Sequence, residues 1–169
     1  MPLQANPVPP ELVTIYARSA ENMSTHGDSI VVVYNQDMIR QGNPPKAGGM
    51  QDINNIPSSQ LKAPAEYPLH KGNATKRNTA KNYQVKITPA PHSKTQAFNG
   101  TWYELGGIAI YPPEPGYMYG KRVLLKLEQA NKNIFEPGDT VEITVSTTVE
   151  SPDGLTIPAG KNRKSNQVS

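Results

Sequence analysis

Apolar and polar side chains alternate along two stretches of this sequence, 121–128 and 140–149. Over 141–145, Val or Ile takes every second position, with Glu and Thr between them. This period of two is that of a β-strand with one buried and one solvated face. The tetrapeptide Glu-Pro-Gly-Asp at 136–139 separates the two stretches, and its proline and glycine favour a turn. The sequence therefore predicts an antiparallel β-protein in which the two stretches form a hairpin.

Other short runs rich in β-branched residues predict further strands. They lie at 12–18, 29–34, 83–88, 101–105, 108–111 and 155–157. The dipeptide Asn99-Gly100 favours a tight hairpin turn, and Gly106-Gly107 permits a bulge or sharp bend. The count is about seven or eight strands with almost no helix, which predicts an all-β fold. We expect a single antiparallel β-sandwich or jelly-roll barrel with extended arms and long loops.

Three stretches depart from simple alternation. The stretch 12–18 is apolar on both faces, as in a central strand or a strand that another subunit covers. The continuous β-branched run at 29–34 is of the kind buried on both sides. Leu124 is an exception that places an apolar side chain on the otherwise polar face of its stretch.

The length and the proline content predict one domain with long irregular segments. A chain of 169 residues is long enough for a single core. It has 17 prolines, about twice the average frequency of roughly 5%. We expect 1–10 to be an extended N-terminal arm and 11–160 to be the β-domain. Within it, 35–82 is a long irregular insertion, and 161–169 is a mobile basic tail.

Charge is distributed unevenly along the chain, although the net charge is only +3. Residues 53–103 contain seven Lys or Arg against one Glu, and residues 104–160 contain four basic against eight acidic residues. Regions of opposite sign suggest docking between copies or with partners, and solvated charged loops are the alternative. A weak contact of the basic loops and tail with nucleic acid or a membrane surface stays an alternative.

Several function classes lack their sequence signals. The chain has no cysteine, which excludes disulfides and thiolate metal sites. It shows no apolar span of transmembrane length and no signal peptide, so it is not visibly secreted. The histidines lack ligand spacing, and we expect no metal and no cofactor. Ser24, His26 and Asp28 are of the types in a catalytic triad, but such side chains must converge from separate places. We therefore expect a polar turn there and no enzyme.

The aromatic and proline residues suggest where contacts are made. Tyrosine is enriched at protein interfaces because it joins an apolar ring to a hydroxyl. The predicted interface comprises arm prolines, loop tyrosines and a basic pair: Pro7, Pro9, Pro10, Tyr111, Tyr117, Tyr119, Lys76 and Arg77. The alternative is a carbohydrate- or ligand-binding β-sandwich module, in which Trp102 and Tyr103 form a stacking platform with the loop tyrosines.

The arm at 1–10 and the strand stretches together resemble the small single-β-barrel major capsid proteins of tailless, membrane-containing icosahedral viruses. The resemblance is one of architecture and covers most of the chain: the arm and 12–18, 29–34, 83–88, 101–111, 121–128 and 140–149 as barrel strands. It implies a jelly-roll that stands upright in a shell, strand or arm exchange between copies, and a second capsid protein as partner. It further implies assembly in the host cytoplasm, a location in the virion and no enzymatic activity.

Overall fold

The computed structural model of the chain describes residues 8–22, 27–36, 38, 80–110, 121–129, 132–151 and 154–169. These residues form eight strands: β1 (Leu12–Arg18), β2 (Ser29–Tyr34), β3 (Tyr83–Thr88), β4 (Phe98–Thr101), β5 (Gly107–Ile110), β6 (Arg122–Leu127), β7 (Thr140–Val145) and β8 (Arg163–Gln167). Helix within the described residues is limited to two 3-10 turns, Ala20–Asn22 and Ala80–Asn82. The prediction of an all-β fold is confirmed.

The strands form two four-stranded antiparallel sheets. Sheet A has the order β1-β2-β6-β5, and sheet B has the order β4-β3-β7-β8. Their edge strands β1 and β8 lie side by side and parallel, joined by a bridge between Ala17 and Val168. At the other end of β1, the Leu12 N–H donates to the Lys161 carbonyl at 3.0 Å. The two sheets are therefore connected along this edge by backbone hydrogen bonds.

The predicted hairpin between 121–128 and 140–149 is wrong. β6 pairs with β2 and β5 in sheet A, whereas β7 pairs with β3 and β8 in sheet B. The turn at 136–139 does form, with the Asp139 N–H donating to the Glu136 carbonyl at 3.1 Å. It ends a crossover between the sheets, because Phe135 in this connection is buried in the shared core. Alternation identified both strands but not their partners.

The predicted mobile tail is also wrong, because residues 163–167 form β8. All of its side chains are exposed, so the strand has no apolar alternation that would reveal it. Backbone pairing with β7 holds it in place, with Glu142 opposite Ser165. The Asn166 side chain adds a bond of 3.0 Å to the Ile15 carbonyl of β1. The only contribution of this segment to the core is Val168, which is buried.

Two predicted local features have different outcomes. Asn99-Gly100 makes no hairpin turn but lies inside β4, which pairs with β3. The bend at Gly106-Gly107 is confirmed, since Gly106 has a φ of +84° at the end of the turn that separates β4 from β5. Most of the predicted insertion 35–82 lies outside the described residues.

The core lies between the two sheets and contains several large aromatic side chains. Val and Ile residues from β1, β2, β3 and β7 meet there. Tyr34 of sheet A and Tyr83 of sheet B are both buried, and their hydroxyls are 2.7 Å apart. Burial, the largest cause, and the neighbouring Tyr83 raise the pKa of Tyr34 well above its ordinary value. This hydrogen bond satisfies two polar groups that would otherwise be costly inside an apolar core.

Trp102 is the largest fully buried side chain among the described residues. Its indole Nε1 donates to the carbonyls of Ile108 and Lys126, at 3.2 and 3.1 Å. The backbone of Gly107 passes directly over the ring, and a Cβ there would lie 2.0 Å from Nε1. The start of β5 therefore requires a residue without a side chain.

We expect Gly107→Ala to destabilise the protein by roughly 1–3 kcal/mol or more, because the new methyl group overpacks the core against Trp102. The matched variant is Gly106→Ala, where a Cβ has open space but φ is +84°. That variant reports backbone strain alone, about 1–2 kcal/mol. Urea unfolding followed by tryptophan fluorescence measures both. A smaller loss for Gly107→Ala than for Gly106→Ala would contradict the packing described.

Candidate functional site

Sheet A carries apolar side chains on the face that points away from the core. The register places Tyr16 opposite Val31, and Val31 opposite Leu124. This row alternates with Ile15, Val32 and other side chains that enter the core, so it lies on the outer face. Leu124 is only 3% exposed although it does not belong to the core cluster. Leu124 and the outward-facing side chains of 12–18 thus lie on the same surface of sheet A.

The outer row of sheet A leaves large apolar side chains in water. Tyr16 is 51% exposed and Val13 is 52% exposed. Val13 lies at a break in the β1–β2 register, which turns it outward. The half-buried Val31 and Val33 of β2 continue the apolar surface. We call the outward-facing Val13, Tyr16, Val31, Val33 and Leu124 the apolar face.

The ends of the apolar face are cationic. Arg18 lies two residues after Tyr16 on β1, opposite Ser29 of β2. Lys126 of β6 lies on the other side of Ser29. Arg122 is opposite Val33 at the other end. An apolar centre that contains tyrosine and is bordered by charged residues has the composition typical of protein interfaces.

Sheet B differs on its outer face, which is polar. The register aligns Lys86 with Glu142, and Glu142 with Ser165, across three strands. Gln84 is exposed and donates to the Asn99 side chain at 3.1 Å. Sheet B thus has one apolar and one polar face, whereas sheet A carries apolar side chains on its outer face as well.

The base of the N-terminal arm is fastened beside the apolar face. The Asn35 side chain donates to the Pro9 carbonyl at 3.2 Å and accepts from the Glu11 N–H at 3.0 Å. The Gln36 side chain donates to the Val8 carbonyl at 2.7 Å. Val8 itself is 61% exposed. Residues 8–11 are therefore held against the end of β2, with the Val8 side chain in solvent.

The predicted interface residues are only partly placed. Pro9 is exposed and Pro10 is buried at the arm base. The remaining ones lie outside the described residues: Pro7, Lys76, Arg77, Tyr111, Tyr117 and Tyr119.

The alternative platform of Trp102 and Tyr103 does not form one surface. Trp102 has no exposed area, so its ring does not stack on a ligand in this structure. Tyr103 is 56% exposed, and the Lys81 ammonium lies 4.7 Å from its ring centroid. A cation over the ring occupies a face that a sugar would use.

Asp28, from the triad-like cluster, has a structural role. It is buried, and its carboxylate accepts the N–H of Ala20 at 2.7 Å and that of Ile134 at 2.6 Å. A third bond comes from the Phe135 N–H at 3.3 Å. Ser24 and His26 lie outside the described residues. The carboxylate thus fixes the crossover between the sheets.

Asp139 is a second buried carboxylate with the same function. It accepts the N–H of Ala90 at 2.8 Å and that of Glu136 at 2.7 Å, together with the Thr95 hydroxyl. Burial by itself raises the pKa of the Asp139 carboxyl, but these hydrogen bonds outweigh it and hold the pKa below its ordinary value. Neither aspartate is recognisable from the sequence as an anchor of the crossover. The only signal was the Pro-Gly-Asp turn.

We expect Asp139→Asn to lower the free energy of unfolding by about 1–3 kcal/mol at neutral pH, because an amide leaves buried donors unsatisfied. A carboxyl with a lowered folded pKa stabilises the fold above its unfolded pKa of about 3.9. That stabilisation is lost as pH falls through the folded pKa. The variant should therefore lose less stability than the parent on acidification below about pH 4. Urea unfolding over a pH series measures this, with the exposed Glu128→Gln as control. An unchanged acid profile would rule out the assigned role.

The described residues contain no group of three or more His, Asp or Glu placed to hold a metal ion. In the same part of the chain, no helix has the length and apolarity that crossing a membrane would need. No protein-family model, no curated protein and no solved structure matches this chain. The surfaces of the described residues therefore provide the basis for a functional proposal.

Proposed function

We propose that this protein is a structural assembly protein, in its most concrete form a capsid or virion shell subunit. The observation that carries the proposal is the apolar face of sheet A, with Val13 and Tyr16 about half exposed. Removing apolar area from water is the main favourable term in protein association. A sheet with apolar side chains on both sides is stable in water only when a second layer covers its outer face.

A second copy of the chain is the proposed occupant of the apolar face. The arm base at 8–11 continues directly into β1, the strand that carries Val13 and Tyr16. An arm that extends from this position starts beside the surface that an adjacent copy would cover. Exchange of such arms adds contact area to a sheet interface. A second capsid protein, joined through the oppositely charged regions of the chain, is the further partner that we propose.

We also propose that the two sheets close into one sandwich or barrel of the jelly-roll type. The contact of β1 with β8 connects the sheets on one side. On the other side, the turn that follows β4 leads directly into β5. Both connections are consistent with a closed shell-forming domain without catalytic machinery. We place it in the virion after assembly in the host cytoplasm.

Tyr16→Lys should weaken self-association about 10- to 100-fold, as expected when a central interface tyrosine is replaced by a charge. The matched control is Thr88→Lys, which adds the same charge to the polar outer face of sheet B. Light scattering across protein concentration gives the mass of each species relative to the 18.4 kDa chain.

A parent protein that stays monomeric up to high concentration would overturn the assembly proposal. Equal weakening by Thr88→Lys would instead show that copies associate through another surface. Far-UV circular dichroism of both variants confirms that the fold is kept.

A further inference from the structure

A cleft of about 430 Å³ opens beside β4, between the segment 94–98 and the crossover segment 132–136. Its volume lies within the roughly 300–1,000 Å³ of small-molecule sites. Its described lining comes from Ile87 of β3, the segment 94–98, Leu105 and the crossover, whereas the most exposed residues of the apolar face lie on β1. The cleft is therefore separate from the proposed assembly surface.

Both walls of the cleft are held by the buried aspartates. Asp139 binds the Thr95 hydroxyl on one wall and the Glu136 N–H on the other. Asp28 binds the backbone of the second wall, at Ile134 and Phe135. Walls fixed in this way keep the cleft open before a ligand arrives, which reduces the ordering that binding requires.

Apolar side chains form part of the cleft lining. Ile87 and Leu105 belong to its lining, together with the aromatic ring of Phe98. Ile134 and Phe135 complete this surface on the crossover side. Such a lining favours the hydrocarbon or aromatic part of a ligand.

The polar groups in the lining have an excess of positive charge. Lys94 lies on one wall and Lys132 on the other, with Glu136 as the acidic residue among the described lining. One Glu136 oxygen already accepts the Ser93 hydroxyl at 3.3 Å and the Lys94 N–H at 3.4 Å. The Lys132 ammonium gives one hydrogen bond, to the Leu105 carbonyl at 2.8 Å, and an ammonium has three donors. Both lysines therefore retain donors for an anion.

We propose that the cleft binds a small amphipathic anion, with its apolar body on the Phe98 and Leu105 side and its carboxylate between Lys94 and Lys132. A neutral molecule of the same shape would not compensate the positive charge of the two lysines. A cationic one would be repelled by them. This ligand site is additional to the proposed assembly function and does not depend on it.

Decanoate is the probe for the test, with decanol and decylamine as neutral and cationic matches. Calorimetry of the full chain gives the affinity, and amide NMR shifts locate the site. We expect decanoate to bind at one site, with shifts at 94–98 and 132–136, and more tightly than either match. The double variant Lys94→Gln, Lys132→Gln should weaken decanoate binding about threefold to tenfold, as expected for two partly exposed ionic contacts. Raising the salt concentration should also weaken it.

Lys86→Gln is the matched control, since it removes one cation from the outer face of sheet B. It should leave decanoate binding unchanged. Absence of binding, equal affinity for decanol, or equal loss in Lys86→Gln would each overturn the proposal. The same holds for shifts confined to the apolar face. Circular dichroism of the variants separates loss of binding from loss of fold.

Discussion

Two buried carboxylates, which accept hydrogen bonds from backbone N–H groups, hold the described part of the crossover between the sheets in place. The described residues of the connection from β6 to β7, 128–129 and 132–139, belong to no strand, so their backbone donors need other acceptors. Asp28 provides them for Ile134 and Phe135, and Asp139 for Glu136. A chain without cysteine has no disulfide to fix such a segment. Charge-assisted hydrogen bonds, which are stronger than neutral ones, take that place.

The strands with apolar alternation could be predicted from the sequence, whereas their partners could not. The stretches 12–18, 29–34 and 83–88 are strands with the expected bounds. Alternation is a local property that records which face of a strand is buried. Pairing is set by packing between distant segments, which is why β6 and β7 are neighbours in sequence but belong to different sheets. β8 gave no signal because its stability comes from backbone bonds and its side chains are exposed.

The candidate site was predictable to a similar extent. Apolar residues on both faces of 12–18 indicated a central strand or a strand that another subunit covers. The register break between Leu12 and Thr14, which places Val13 on the outer face, could not be read from position parity. Whether Trp102 faces solvent or core cannot be read in this way, since it lies in a turn. Its burial follows from the close passage of Gly107. The cleft could not be predicted at all, because its two walls lie far apart in sequence and are joined by the side chains of Asp139 and Glu136.

The contact between β1 and β8 also has a kinetic consequence. The Asn166 side chain bonds to Ile15 across 151 positions, and the Ser169 side chain bonds to Ala17 across 152. Closing so long a loop loses much chain entropy before any contact compensates for it. Proteins dominated by such distant pairings fold in milliseconds to seconds, more slowly than helical proteins of similar stability. During that interval the outer surface of sheet A and the edge of β7 are both open to other chains, so copies that meet early have time to pair wrongly. Correct folding therefore requires that the contact between β1 and β8 forms before two chains meet.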